Sequence, residues 1–151
     1  MGSNIVEDWT TASGYRAVIL HQSQGHMCGY VAVGESHPLY GKKYGEDLPC
    51  LKYLALKAYS GPVGKRGVMS AFLGHGRSCM EAVFNVHGSV TFAAGDGQYP
   101  VYSQEKLWWI GFDCAHARDT VDFCNQAYVH AECESLAAQI LKIRTMDCPD
   151  L

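Results

Sequence analysis

Charge is scarce in this chain of 151 residues: 18% are Asp, Glu, Lys or Arg, and the formal net charge is -3. A duplex nucleic-acid binder needs a basic surface for its phosphate contacts, so this balance excludes that class while leaving room for a small anionic ligand in a local pocket. No apolar run approaches the roughly 18 residues of a membrane span, which argues against a membrane protein. The seven cysteines are an odd number, scattered at 28, 50, 79, 114, 124, 133 and 148 without a CxxC pair. That pattern does not fit a secreted disulfide framework. With no charged-then-apolar leader at the start, the expectation is reduced thiols and a cytoplasmic protein. HExxH and paired zinc-knuckle spacings are missing too, as are internal repeats and low-complexity stretches.

What is present is apolar: 48% of the residues are hydrophobic, enough for one globular domain over 1–151 with its own core. Residues 1–13 form a polar N-terminal segment expected to be only partly ordered. Gly14 to Leu20 reads as a first strand, and Gly25 turns the chain into a second, Met27 to Val33. Its period of two sets His26, Cys28 and Tyr30 on a chemically mixed face, opposite Met27, Val31 and Val33. The loop from Gly34 to Gly45 interleaves tyrosines and lysines. Helical spacing of Leu48, Leu51, Leu54, Ala55 and Ala58 predicts a helix from Asp47 to about Ser60, followed by an irregular excursion from Gly61 to Gly76 carrying Lys65 and Arg66.

Val83 to Phe92 has strand character, with His87, Ser89 and Thr91 on one face, and Lys106 to Phe112 predicts another strand, with Trp109 and Asp113 sharing a face. Asn125 suits the N-cap of a C-terminal helix whose buried stripe is Val129, Cys133, Leu136, Ile140 and Ile143. Its acids Glu132 and Glu134 come early and its bases Lys142 and Arg144 late, as the helix dipole prefers. The fold class predicted is α+β: a small, mainly antiparallel sheet with a long C-terminal helix on one face and a helical insertion near residues 47–75.

Three short apolar runs deliver histidine to the edge of this core, the sharpest being Trp108-Trp109-Ile110-Gly111-Phe112-Asp113-Cys114-Ala115-His116. The candidate constellation is His26, Cys28, His87, Thr91, Asp113, His116 and Asp119. Imidazole is the natural acid or base near neutral pH, and a nearby carboxylate orients it. Zinc or another divalent metal is a separate option, since His, Cys and Asp are all ligands. A cysteine nucleophile, Cys28 or Cys114 beside a histidine, is a third. His87-Gly88-Ser89 also fits the H-x-S/T element of two-histidine phosphoesterases, although His26-Met27-Cys28 carries a thiol where the second element needs a hydroxyl.

Taken together, His26-Met27-Cys28-Gly29-Tyr30-Val31, His37-Pro38-Leu39-Tyr40-Gly41-Lys42, Val86-His87-Gly88 with Thr91-Phe92, the Trp108 to His116 run, and Glu132-Cys133-Glu134-Ser135-Leu136-Ala137 resemble a family of small, mostly uncharacterised proteins of bacteriophages and actinobacteria. The resemblance covers most of the chain outside about 47–79, which reads as an insertion into the shorter family pattern. It implies a phage anti-defence protein acting on nucleotide immune signals, placed in the host cytoplasm. The expected activity is binding and phosphodiester hydrolysis of a cyclic oligonucleotide. In that reading His26, His87, Asp113 and His116 are catalytic, with His87 and His116 sharing acid and base duty, and Tyr30, Tyr40, Lys42, Thr91 and Trp109 bind the ligand. No cofactor is required. The alternatives are a sponge that sequesters a cyclic nucleotide or an ADP-ribose derivative, and an inhibitor that binds a protein; a homodimer is compatible with each.

Overall fold

β-Branched and aromatic residues in alternation build Arg16–His21 (β2) and Met27–Gly34 (β3) as an antiparallel hairpin in the computed structural model, which describes residues 4–51, 78–115 and 123–145. Gly25, with a φ of 103°, makes the reversal, and Gln22 N–H donates to the His26 carbonyl at 2.8 Å. The other side of β3 pairs with Leu107–Asp113 (β5), which pairs in turn with the short Phe92–Ala94 (β4). With Asn4–Thr10 (β1) outside β2, the sheet is five-stranded and antiparallel in the order β1-β2-β3-β5-β4.

The first strand corrects the expectation of a loosely ordered polar start. Residues Asn4–Thr10 pair with β2, with a register shift between Ile5 and Glu7, and side chains of the distant C-terminal helix hold them there. Trp9 Nε1 donates to Glu134 at 2.8 Å, the Ala12 N–H reaches the same carboxylate at 3.0 Å, and His130 stacks on Trp9 with ring centroids 4.3 Å apart. His130 Nδ1 also lies 2.8 Å from Glu7. A polar edge strand is therefore fixed by non-local bonds that no short window of sequence displays.

A second correction concerns Val83 to Phe92. Met80–Val83 is a single helical turn (α1), and extended structure begins only at Phe92. Gly88 and Ser89 adopt left-handed φ values of 66° and 77°, which no strand accommodates, so the apolar residues here are buried along a turn. Of the predicted helix from Asp47, Pro49–Leu51 form a 3-10 turn; the rest of it, the excursion at 61–76 and the remainder of the 47–79 insertion lie outside the described residues.

The C-terminal helix, Gln126–Thr145 (α2), starts as expected: Asn125 Oδ1 accepts the Tyr128 N–H at 2.9 Å. Its stripe of Val129, Cys133, Leu136, Ile140 and Ile143 is fully buried with Ala17, Ile19, Val31, Val33, Ile110 and Phe112 from one face of the sheet. Gly29 permits the close approach, because a Cβ there would stand 2.6 Å from Phe112 and 2.7 Å from the Cys133 sulfur. No helix among the described residues is long and apolar enough to cross a membrane.

The opposite face of the sheet is not the mixed surface that the alternation suggested. Val18, Leu20, Cys28, Tyr30, Ala32 and Trp109 form a second apolar cluster, roofed by Val101 with Phe92 and Leu107 against it. Both faces of the sheet are thus committed to packing, and polar chemistry is left to its ends.

Candidate functional site

The turn that interrupts the expected strand is what aims His87. Ser89 N–H closes it onto the Val86 carbonyl at 2.9 Å, and glycine at 88 supplies the left-handed step. Ser89 follows in the same region, costly for a residue with a Cβ, and is held by its buried hydroxyl donating to the Glu81 carbonyl at 2.6 Å. Glu132, only 4% exposed, reaches across from α2 and accepts the His87 N–H at 2.8 Å. This carboxylate, one of the acids early in the helix, is a buried clamp on the turn.

The ring of His87 is fixed as firmly as its backbone. Nδ1 lies 2.9 Å from the Tyr128 hydroxyl, and the two rings meet edge to face with centroids 5.5 Å apart. Nε2 faces the Cys124 sulfur at 3.7 Å. Cys124 stands immediately before the capping Asn125, while Cys114 follows β5 directly and donates its N–H to the Met27 carbonyl at 3.0 Å. One imidazole nitrogen and the sulfurs of Cys114 and Cys124 all lie within 4.8 Å of one another, with the two cysteines 5% and 3% exposed. A turn, a strand end and a helix start therefore converge on one small volume lined by soft donor atoms. Such a set can bind a metal ion, or exchange protons between thiol and imidazole.

Other residues singled out in the sequence fall elsewhere. Strand alternation sends Asp113 to the face opposite Cys114, where it pairs in register with Cys28 and accepts the Thr91 hydroxyl at 3.1 Å and the Ala115 N–H at 3.0 Å. The group on His87 Nδ1 is Tyr128, not Asp113. Tyr30 is buried, its hydroxyl 2.7 Å from that of Tyr99, and burial followed by this bond pushes its ionisation far above the ordinary tyrosine range. Burial likewise raises the Cys28 thiol, so it stays neutral near pH 7. Trp109 is 1% exposed and leaves no face on which a base could stack; its ring has the Arg16 guanidinium 5.8 Å away. Tyr40 is half-buried against the core beside Trp108, and the Lys42 carbonyl accepts the Trp108 indole N–H at 2.9 Å. His26 lies at the hairpin turn. His116 and Asp119 lie outside the described residues.

Cys124 and Tyr128 are the site residues that sequence reasoning missed. A signal for them existed: an N-cap at Asn125 sets Cys124 just ahead of the helix and Tyr128 four residues on, on the same side. Comparison with protein-family models, with curated proteins and with solved structures finds no match.

Proposed function

We propose that this protein is a hydrolase of a nucleotide-derived immune signal, a cyclic oligonucleotide, with its reacting centre at the His87 end of the sheet. The observation that carries this reading is the convergence of His87, Cys114 and Cys124 from three separate elements, with His87 presented by a turn in which Ser89 holds a left-handed φ. Two of the runs that carry the resemblance to phage and actinobacterial proteins, Val86-His87-Gly88 and Asp113-Cys114-Ala115, end at this point. Low charge and the lack of a basic stripe fit a small anionic substrate better than a polymer.

In the reaction, a water oxygen forms a bond to phosphorus, the bond from phosphorus to the leaving sugar oxygen breaks, and that oxygen gains a proton. Activation of the water is centred on the His87 pocket, and Tyr128 fixes the ring orientation that this requires. Asp113, on the far face, accepts from the Thr91 hydroxyl and the Ala115 N–H.

The test is to incubate the purified protein with cyclic dinucleotides, cyclic trinucleotides and cyclic ADP-ribose isomers, and to chromatograph each mixture before and after heat denaturation. Conversion of a cyclic oligonucleotide to linear products is the expected result. A compound that disappears and returns intact on heating identifies a sponge and overturns hydrolysis; an untouched panel overturns the nucleotide reading and directs the search to protein partners.

A further inference from the structure

We propose that His87 Nε2, Cys114 Sγ and Cys124 Sγ supply three of the four ligands of a tetrahedral site for a zinc-class divalent ion. The inference rests on the hydrolase reading only for what the ion does in turnover; binding of the ion is argued from the donors themselves.

Zinc bound at about 2.3 Å to sulfur and about 2.0–2.1 Å to nitrogen places a tetrahedral N···S edge at about 3.6 Å. The separation between His87 Nε2 and Cys124 Sγ is 3.7 Å, and a ring nitrogen of His87 with the two sulfurs forms a triangle with no side longer than 4.8 Å. Both cysteines are buried, and two thiolates with one imidazole select zinc or cobalt over magnesium or calcium.

The surroundings match what a metal-bound histidine needs. Its second nitrogen commonly donates to a fixed oxygen that sets the tautomer, and here Nδ1 lies 2.9 Å from the Tyr128 hydroxyl, leaving the Nε2 lone pair toward the sulfurs. The buried Glu132 side chain accepts the His87 N–H and so holds the ligand's backbone in place. A thiolate nucleophile activated by His87 is the competing use of these atoms, but it needs a sulfur open to substrate, and Cys114 and Cys124 are 5% and 3% exposed. When bound, the ion lowers the pKa of a coordinated water toward neutrality, and His87 then acts by holding the ion.

The experiment strips the reduced full-length protein with a chelator and titrates it with cobalt(II), following the sulfur-to-cobalt charge-transfer band and the visible bands of tetrahedral cobalt, with zinc as competitor. One equivalent of cobalt per chain is expected, displaced by zinc. Cys114→Ser and Cys124→Ser should each reduce the charge-transfer intensity by about half and weaken binding by more than the roughly 10–100-fold that loss of an outer partner costs. Cys133→Ala, whose sulfur packs in the core under α2, should leave the spectrum unchanged. No cobalt bound by the wild-type chain, or an unaltered charge-transfer band in both serine variants, would overturn the proposal. The two readings also fail separately: a chain that binds no cobalt yet still linearises a cyclic oligonucleotide sinks the metal site alone, whereas cobalt bound as described with an untouched panel sinks the substrate alone.

Discussion

His87→Ala is expected to lower conversion of a cyclic oligonucleotide by about 10²- to 10⁴-fold, the range that a positioned acid, base or metal ligand contributes. The fold should survive. The ring is only partly buried, and its removal takes away the bond to Tyr128, whose net worth is about 1 kcal/mol, and the weaker contact with the Cys124 sulfur. The backbone bond from residue 87 to Glu132 remains in the alanine variant, as does the left-handed Gly88 that shapes the turn. Steady-state rates measured beside a chemical denaturation curve check both halves. A variant that unfolds readily would show His87 to be a packing residue; one that is stable and fully active would remove it from the reaction.

Trp109→Ala should give the opposite pattern. The indole is 1% exposed in the cluster of Val18, Leu20, Cys28, Tyr30, Ala32 and Val101, on the sheet face away from α2. Truncating a buried tryptophan to alanine costs about 3–5 kcal/mol through lost burial and the cavity left behind. That is a large part of the roughly 5–15 kcal/mol that holds an ordinary domain together. For a chain of this size, a fall in Tm of roughly 10 °C or more follows. Differential scanning calorimetry reads it directly. Under the expectation in which Trp109 binds the ligand, the main effect would be on ligand affinity with little change in Tm; under the present account any loss of affinity follows from the loss of fold.

The contrast between these residues shows what was legible in the sequence. Strong periodicity was enough for the β2–β3 hairpin, for β5 within a residue at each end, and for α2 with its cap and buried stripe, because each element buries a regular face. Period-two alternation also grouped Trp109 with Asp113 on one face. It did not reveal that this face is a second core, because residues such as Val101 and Phe92 that cover it come from outside β2, β3 and β5.

The strand β1 stayed hidden for a related reason. Its own composition is polar, and its anchors Glu134 and His130 lie more than 120 positions away. At the site, His87 stood out by residue type, and both a carboxylate and a thiol of the Asp113-Cys114 pair were candidates to stand beside a histidine. The structure places Asp113 and Cys114 on opposite faces, so the neighbouring thiol, and not the carboxylate, reaches the imidazole. Cys124 was one thiol among seven, and its place just ahead of the Asn125 cap was the one local feature that set it apart from the inert core cysteines. Cys133 is such a case: burial pushes its thiol well above the usual range, which keeps it neutral and unreactive.

The most direct test of the His87 pocket as the working centre is an NMR titration of the imidazole rings with uncleavable phosphorothioate analogues of the cyclic oligonucleotides. His37 provides an internal reference, since its ring is buried and hydrogen-bonded to the Leu39 N–H and the Ile140 carbonyl. The account expects the His87 ring signals to move saturably with added ligand while those of His37 stay in place. Saturable binding that shifts other histidines and leaves His87 untouched would contradict it.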